Sequence, residues 1–350
     1  MENNPLPNWH YWHGEPSVSA LFKSIPEDFQ VTEIPLTEPS GDGEHHLIWL
    51  EKVNLNTAFV AEQLAKYLQV PLRNVSYAGR KDKYALTRQY FSVQMPKRTA
   101  PDFSQWKLAG AQILSCTRHN RKLRIGALRG NRFDICLREL SQSDELDNRL
   151  ARIREQGVPN YFGQQRFGNG GSNLLLGLRM ADGEPIRNRN RRSMAISALR
   201  AKLFNDYISE RLQQGRFEQA ISGDVMQLAG SQSFFVAETI DSEIIRRLNE
   251  RDIFITGPLW GEDNSPAQKE SAELENSVFV QQQSVCQALN GLSLQQERRA
   301  IKLLPQNMQW HWQDDTLQLS FSLPSGCFAT AVLRELVNVN EGAADENSAE

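Results

Sequence analysis

Asp82 is the residue whose surroundings most suggest chemistry. It lies in VSYAGRKDKYALTRQ (75–89), flanked by Arg80, Lys81 and Lys83, with Arg88 nearby. Neighbouring cations favour the ionised carboxylate. Such a group is a poor general acid at neutral pH and suits a nucleophile, or a base acting at an electron-poor sugar carbon. A carboxylate that neutralises a basic loop or caps the next helix is the commoner arrangement, and charge alone leaves both open. Around it, cations alternate with Tyr77, Tyr84, Tyr90, Phe91, Trp106 and Phe133. Positive charge tracks a phosphate backbone and aromatic faces stack on bases drawn out of a helix, while strand alternation marks Phe91 and Phe133 as core candidates.

Other chemistries find little support. None of His10, His13, His45, His46, His119 and His311 shows the i, i+4 pairing with Glu of a zinc-protease helix. Cys116, Cys136, Cys286 and Cys327 lack metal-ligand spacing, so no metal is expected. GNGGSN (168–173) is followed by no G-K-S/T and preceded by no apolar strand, so it reads as a turn lined by backbone amides rather than a mononucleotide loop. The adjoining Arg166-Phe167-Gly168 could still approach a phosphate backbone.

The elements that must position these residues fall into three stretches. The first 140 residues alternate short β-rich runs with turns: Phe29 and Val31 against Gln30 and Thr32, then 46–53, 90–95, 123–128 and 132–139. One helix interrupts them, with Asn56 as its N-cap, Val60, Leu64, Tyr67 and Leu68 on one face, and Pro71 closing it. A second runs from Ser143, with Leu146, Leu150 and Ile153 inward and Gly157 at C′. The character changes at Pro159, where a domain junction is placed. Beyond it come an amphipathic helix from Leu199 to Leu212 ending at Gly215, a helical stretch at 244–248, a strand at 253–256 and a helix over about 269–289. The end returns to strand, with Leu317, Leu319, Phe321 and Leu323 alternating. One sheet interrupted and later resumed explains this order as economically as three domains.

At 350 residues the chain exceeds one typical domain. Its net charge of −3 taken alone argues against a nucleic-acid partner. The local sum reverses this: residues 73–132 hold 14 Lys and Arg against Asp82 and Asp102 only. A second basic cluster comprises Arg179, Arg187, Arg189, Arg191, Arg192, Arg200 and Lys202, and acidic residues close the chain at 341–350 as a frayed tail. Sparse cysteine, no signal peptide and no apolar run of membrane-spanning length point to the cytoplasm.

The segment Gly79-Arg80-Lys81-Asp82-Lys83, with Ala85, Thr87 and Gln89, resembles the G-x-K-D-x-x-A-x-T-x-Q signature of the TruD family of pseudouridine synthases. Four further segments resemble that family's motifs in the same order. They are Phe22-Lys23 with Pro26-Glu27-Asp28-Phe29, Val31 and Glu33; Lys122-Leu123-Arg124 through Gly130-Asn131 and Phe133; Pro159 to Gly168; and Phe328-Ala329-Thr330 with Leu333-Arg334-Glu335. Together they span residues 22 to 335.

The resemblance implies an α+β fold: a catalytic domain with a mixed, largely antiparallel sheet (1–156 and 305–350), interrupted by an inserted α/β domain (157–304). It implies isomerisation of uridine 13 in tRNA, particularly glutamate-type tRNA, without cofactor or metal, and no obligate protein partner. Asp82 carries over as the catalytic carboxylate, and Phe29, Asn131 and Phe328 as contacts to the flipped nucleotide. Phe133 is expected to pack under the base and Lys23 to pair with Asp82. Arg80, Lys81, Lys83, Tyr161, Arg166, Arg191 and Arg192 are expected on the RNA. The alternative of another class is a non-catalytic tRNA-binding or RNA-chaperone protein.

Overall fold

The computed structural model describes residues 6–95 and 101–342. Part of the loop at 97–104 and the acidic tail beyond residue 342 lie outside them. The chain divides into two compact units: unit 1 comprises residues 1–15, 156–303 and 330–335, and unit 2 comprises 16–155, 304–329 and 336–350. The expected single first part, 1–156, is therefore divided. Its first 15 residues belong with unit 1, because Glu335 accepts hydrogen bonds from the Trp12 and His13 amides at 3.1 and 2.9 Å while Tyr161 donates to the His10 carbonyl at 3.0 Å.

Unit 2 carries β1 Ser19–Phe22, β2 Phe29–Pro35, β3 His45–Val53, β4 Val75–Tyr77, β5 Leu86–Gln94, β6 Ala111–His119 and β7 Leu128–Arg138, with α1 Thr57–Tyr67 and α2 Asp144–Gln156. Unit 1 follows with β8 Val158–Pro159, α3 Gln164–Phe167, α4 Ser172–Ala181, α5 Arg189–Gln213, β9 Asp224–Leu228, β10 Phe234–Ala237 and α6 Ser242–Asn249. It continues through β11 Ile253–Leu259, α7 Lys269–Gln281, α8 Gln283–Leu289, β12 Glu297–Ala300 and β13 Lys302–Leu303. Then come β14 Gln306–Gln313, β15 Thr316–Pro324, α9 Ala329–Leu336 and β16 Asn338–Glu341.

The sheet of unit 2 runs β14-β15-β7-β2-β5-β3-β6, with β4 on β5 and with β1 joining β7 and β16. Its pairs are antiparallel except β2 with β5 and β1 with β16. This is a mixed, largely antiparallel sheet in an α+β architecture, resumed by β14 and β15 after the interruption. One face is closed by α1, whose Val60, Leu64 and Leu68 pack with Ile48 and Leu50 of β3 and with Phe91 and Val93 of β5. Burying each such side chain contributes about 1.5–3 kcal/mol. On β15, Leu317, Leu319, Phe321 and Leu323 are all buried, as their alternation requires.

The helix at 56–68 starts where expected, but the Asn56 side chain makes no capping bond. Gly157, at φ +89°, follows α2 in the left-handed conformation expected of a C′ residue. Two elements differ from the sequence reading. Residues 123–127 form a turn rather than a strand: the Gly126 amide donates to the Ala78 carbonyl, Ala127 to Arg124, and Gly126 takes φ +85°. The expected helix over 269–289 breaks at Gln282 (φ −116°, ψ 32°) into α7 and α8.

Unit 1 packs α5 against an antiparallel sheet ordered β10-β9-β11-β12. A Cβ at Gly257 of β11 would lie 2.7 Å from the Tyr207 ring, so glycine there sets the close approach of helix to strand. The glycines at 168–171 form the expected turn, all but Asn169 at positive φ, leading into α4. Among the described residues no helix is long and apolar enough to cross a membrane.

Candidate active site

The loop between β4 and β5 carries Asp82 and is tied to its surroundings at almost every residue. The Ala78 carbonyl accepts from the Gly126 amide at 2.7 Å, and the Gly79 carbonyl from Gln89 Nε2 at 3.0 Å. The Lys81 amide donates to Thr57 Oγ1 at 3.0 Å, and that hydroxyl donates to Gln89 Oε1 at 3.1 Å. The Asp82 carbonyl accepts from Lys52 Nζ at 2.8 Å, and Tyr84 donates its hydroxyl to the Ser24 carbonyl at 3.2 Å. Each neutral bond contributes on the order of 1 kcal/mol and those from an ammonium about 1.5–3 kcal/mol. The half-buried Asp82 therefore sits on a main chain with little freedom to move.

The spacing of the signature thereby acquires a physical reason. Ala85, Thr87 and Gln89 are wholly buried, and Gln89 joins Gly79 to Thr57 at the start of α1.

Lys81 departs from its expected role. Its side chain is buried and its ammonium lies 3.1 Å from Glu33 Oε2 of β2. Glu33 also accepts from the Tyr90 amide, and burial holds its carboxyl above the usual range against the pull of Lys81. Lys81 is a fastener between loop and sheet, withdrawn from any surface that RNA could touch. Arg80 and Lys83, on either side of Lys81 and Asp82, are exposed and keep their surface charge.

The pairing of the sheet brings the other expected residues into unit 2 with Asp82. Phe29 opens β2 beside Gln30, which pairs with Leu86 at the start of β5, just after the Asp82 loop. Val31 pairs with Phe133, and Asn131 lies between Glu33 of β2 and Leu323 of β15. A Cβ on the preceding Gly130 would sit 2.2 Å from the Leu323 carbonyl oxygen, so glycine permits the strand approach that seats Asn131. Asn131 Oδ1 is buried and accepts no hydrogen bond from the described residues, a condition that costs free energy unless a donor reaches it. Phe328 follows β15 by four residues and is half-buried.

Phe29 stacks on Phe133 at 6.0 Å and meets Phe22 edge-on at 5.3 Å, and Phe133 packs on Phe321 at 5.6 Å. Both Phe29 and Phe133 are 5% exposed, so they form a rigid apolar floor with little open ring surface. The Lys23 ammonium lies over the Phe22 and Phe29 rings at 5.3 and 4.9 Å. The lysine that reaches the Asp82 main chain is Lys52, which sequence reading missed. The signal was present: Ile48, Leu50 and Lys52 share the buried face of β3, so a lysine stands where the alternation calls for an apolar residue.

In unit 1 the basic cluster separates. Arg187, Arg189, Arg191 and Arg192 are exposed around the start of α5, which Asn188 caps by accepting from the Arg191 amide at 3.0 Å. Lys202 is buried on Asp206 at 2.6 Å, and Arg200 donates to the Leu259 and Gln295 carbonyls. Tyr161, expected on the RNA, is buried. Arg166 is partly buried, donating to Ser197 Oγ at 3.1 Å with its guanidinium over Phe162.

A family model described as tRNA pseudouridine synthase D (TruD) matches residues 8–187 and 186–336. The tRNA pseudouridine synthase D of Pseudoalteromonas atlantica is 48% identical over 337 residues, covering 95% of this chain and 96% of that protein. Its counterpart in Proteus mirabilis is 45% identical over 335 residues, with 95% and 96% covered. A crystal structure from Methanosarcina mazei, titled as a tRNA pseudouridine synthase D, is similar with a TM-score of 0.74 over 97% of this chain and 99% of that one. At 22% identity this is a likeness of fold.

Proposed function

Because this chain belongs to the TruD family of tRNA pseudouridine synthases, we propose that it isomerises uridine to pseudouridine in tRNA, at position 13 of a glutamate-type tRNA. The supporting observation is the tethered Asp82 loop in the same unit as Asn131, whose buried Oδ1 lacks a protein donor.

The target nucleotide leaves its stack and enters unit 2. The C1′–N1 bond breaks, and the uracil departs with the electron pair, which its ring delocalises. Asp82 serves the electron-deficient sugar side, as a nucleophile at C1′ or as a base on a sugar proton. The retained uracil turns and its C5 forms the new bond to C1′. The C5 proton is then lost and N1 gains one, so atoms and electrons balance with no redox partner. Asn131 Oδ1 accepts from a uracil N–H or a sugar hydroxyl. Phe328 stacks on the nucleotide, and Phe29 and Phe133 form the floor beneath it.

In this reading unit 2 is the catalytic body, and unit 1 supplies cations for the tRNA backbone. Arg189, Arg191 and Arg192 occupy the first turn of α5, where cations oppose the helix dipole by about 0.3–1 kcal/mol each. Phosphate contact would offset that cost. Replacing both Arg191 and Arg192 by Ala is expected to weaken tRNA binding and to lower the slope of log affinity against log salt by about 1–2. Filter binding across a salt series measures both, and an unchanged slope would remove these residues from the interface.

The function itself is tested by incubating the protein with unmodified tRNA transcripts and mapping pseudouridine at single-nucleotide resolution. Product at position 13 of glutamate-type tRNA is expected. Product only elsewhere would overturn the position, and none in any transcript would overturn the activity.

A further inference from the structure

Lys52 is wholly buried in β3, a strand flanked by β5 and β6, where it pairs with Thr87 on one side and Ala111 on the other. Its ammonium donates to the carbonyl oxygen of Asp82 at 2.8 Å. A buried ammonium carries a desolvation penalty of several kcal/mol, and well-packed apolar residues of similar volume often replace buried charges without loss of stability. A methionine would continue the Ile48 and Leu50 stripe. The lysine is thus a poor choice for packing and a good one for gripping a carbonyl that nothing else on that face is shown to grip.

We propose that Lys52 is a positioning residue for Asp82, fixing from beneath the sheet the main chain that aims the catalytic carboxylate. This rests on the reading of Asp82 given above. Lys52 touches no substrate; its positive charge also favours the ionised form of the aspartate it holds. Lys81, the next residue in the loop, is committed to Glu33, so the two lysines restrain adjacent residues from different strands.

Burial lowers the Lys52 pKa from 10.5 to about 8, with Asp82 raising it and Lys81 lowering it further. Once neutral, the amine donates a weaker bond, since a charge-assisted hydrogen bond is roughly twice as strong. The sign for stability is opposite. Between about 8 and 10.5 the unfolded chain retains the Lys52 proton that the folded chain has released, so the contribution of Lys52 to stability rises with pH. Activity lost through Lys52 in that window is therefore not unfolding through Lys52.

The test compares the wild type with Lys52→Met and Lys52→Arg on an unmodified tRNA transcript. Lys52→Met is expected to keep or raise the thermal midpoint, leave KM within about threefold, and lower kcat by roughly 10- to 100-fold, the scale of an ångström-sized misplacement. Lys52→Arg, which keeps the charge at all pH values, is expected to recover part of kcat and to extend activity to higher pH. A folded Lys52→Met with kcat within about twofold of wild type would overturn the proposal. If Lys52→Met does not fold, the wild-type profile decides. A kcat that declines with a midpoint near the Lys52 value of about 8 supports the role, and a flat profile through that value overturns it. A wild type that forms no pseudouridine on any transcript overturns the functional reading, and this role with it; an active wild type beside an unimpaired Lys52→Met overturns this role alone.

Discussion

Asp82→Asn is expected to lower pseudouridine formation by roughly 10³-fold or more, as loss of a nucleophile or base does in other enzymes, while tRNA affinity and the thermal midpoint stay near those of the wild type. The amide keeps the size of the side chain and leaves untouched the bonds that tether the loop, because those run through the main chain of residues 78 to 82 and the side chains of Lys81 and Gln89. What it removes is the negative charge, the property on which trapping C1′ or drawing off a sugar proton depends. The measurement pairs single-turnover product formation with a binding isotherm. A non-catalytic RNA-binding or chaperone protein predicts that Asp82→Asn changes neither, and that result would decide for the alternative.

The largest effect on stability is expected in unit 1, at a site with no part in the chemistry. Arg211 and Asp224 are both wholly buried and meet in a two-pronged pair at 2.9 and 3.1 Å. Arg211 also donates to Tyr207 Oη and to the Gln219 and Arg216 carbonyls, while Asp224 accepts from the Ile221 amide and Ser271 Oγ. Truncation by Asp224→Ala strands a guanidinium charge inside the protein, which costs about 3–5 kcal/mol. Removing both charges in Arg211→Met/Asp224→Ala is expected to restore part of that loss, because no unpaired ion remains. Urea unfolding of the full chain, with far-UV circular dichroism as the readout, measures both variants. A single mutant that loses less than about 1 kcal/mol would show that water reaches the site.

Much of the fold could be read from period and punctuation. The alternation of Leu317, Leu319, Phe321 and Leu323 placed β15, and Val60, Leu64 and Leu68 placed the inward face of α1, because a side chain's direction follows from its spacing along the strand or helix. Where the reading failed, the deciding contact came from far along the chain. LRIGAL has the composition of a strand, yet the Gly126 amide bonds the Ala78 carbonyl and the segment turns. AQILSCTRH gave no clear pattern and went unread as β6; its exposed and half-buried positions are organised by pairing with β3. The first 15 residues looked like a lead-in to the sheet, and it is Glu335 that holds Trp12 and His13 in unit 1.

The candidate site divides in the same way. Sequence alone located Asp82, the cations about it, the concentration of positive charge in 73–132 and the order of motifs that led to the family, since residue type and local spacing are properties of the chain itself. It could not say which cations face solvent. Arg80, Lys81 and Lys83 are equivalent as letters, and Lys52 lay outside the basic segment altogether. Only the tertiary structure turns Lys81 inward to Glu33, buries Lys52 beneath the Asp82 carbonyl and leaves Arg80 and Lys83 exposed. The physical reason is that a charge is the same wherever it stands in sequence, whereas its desolvation and its partners depend on which distant strands the fold brings beside it.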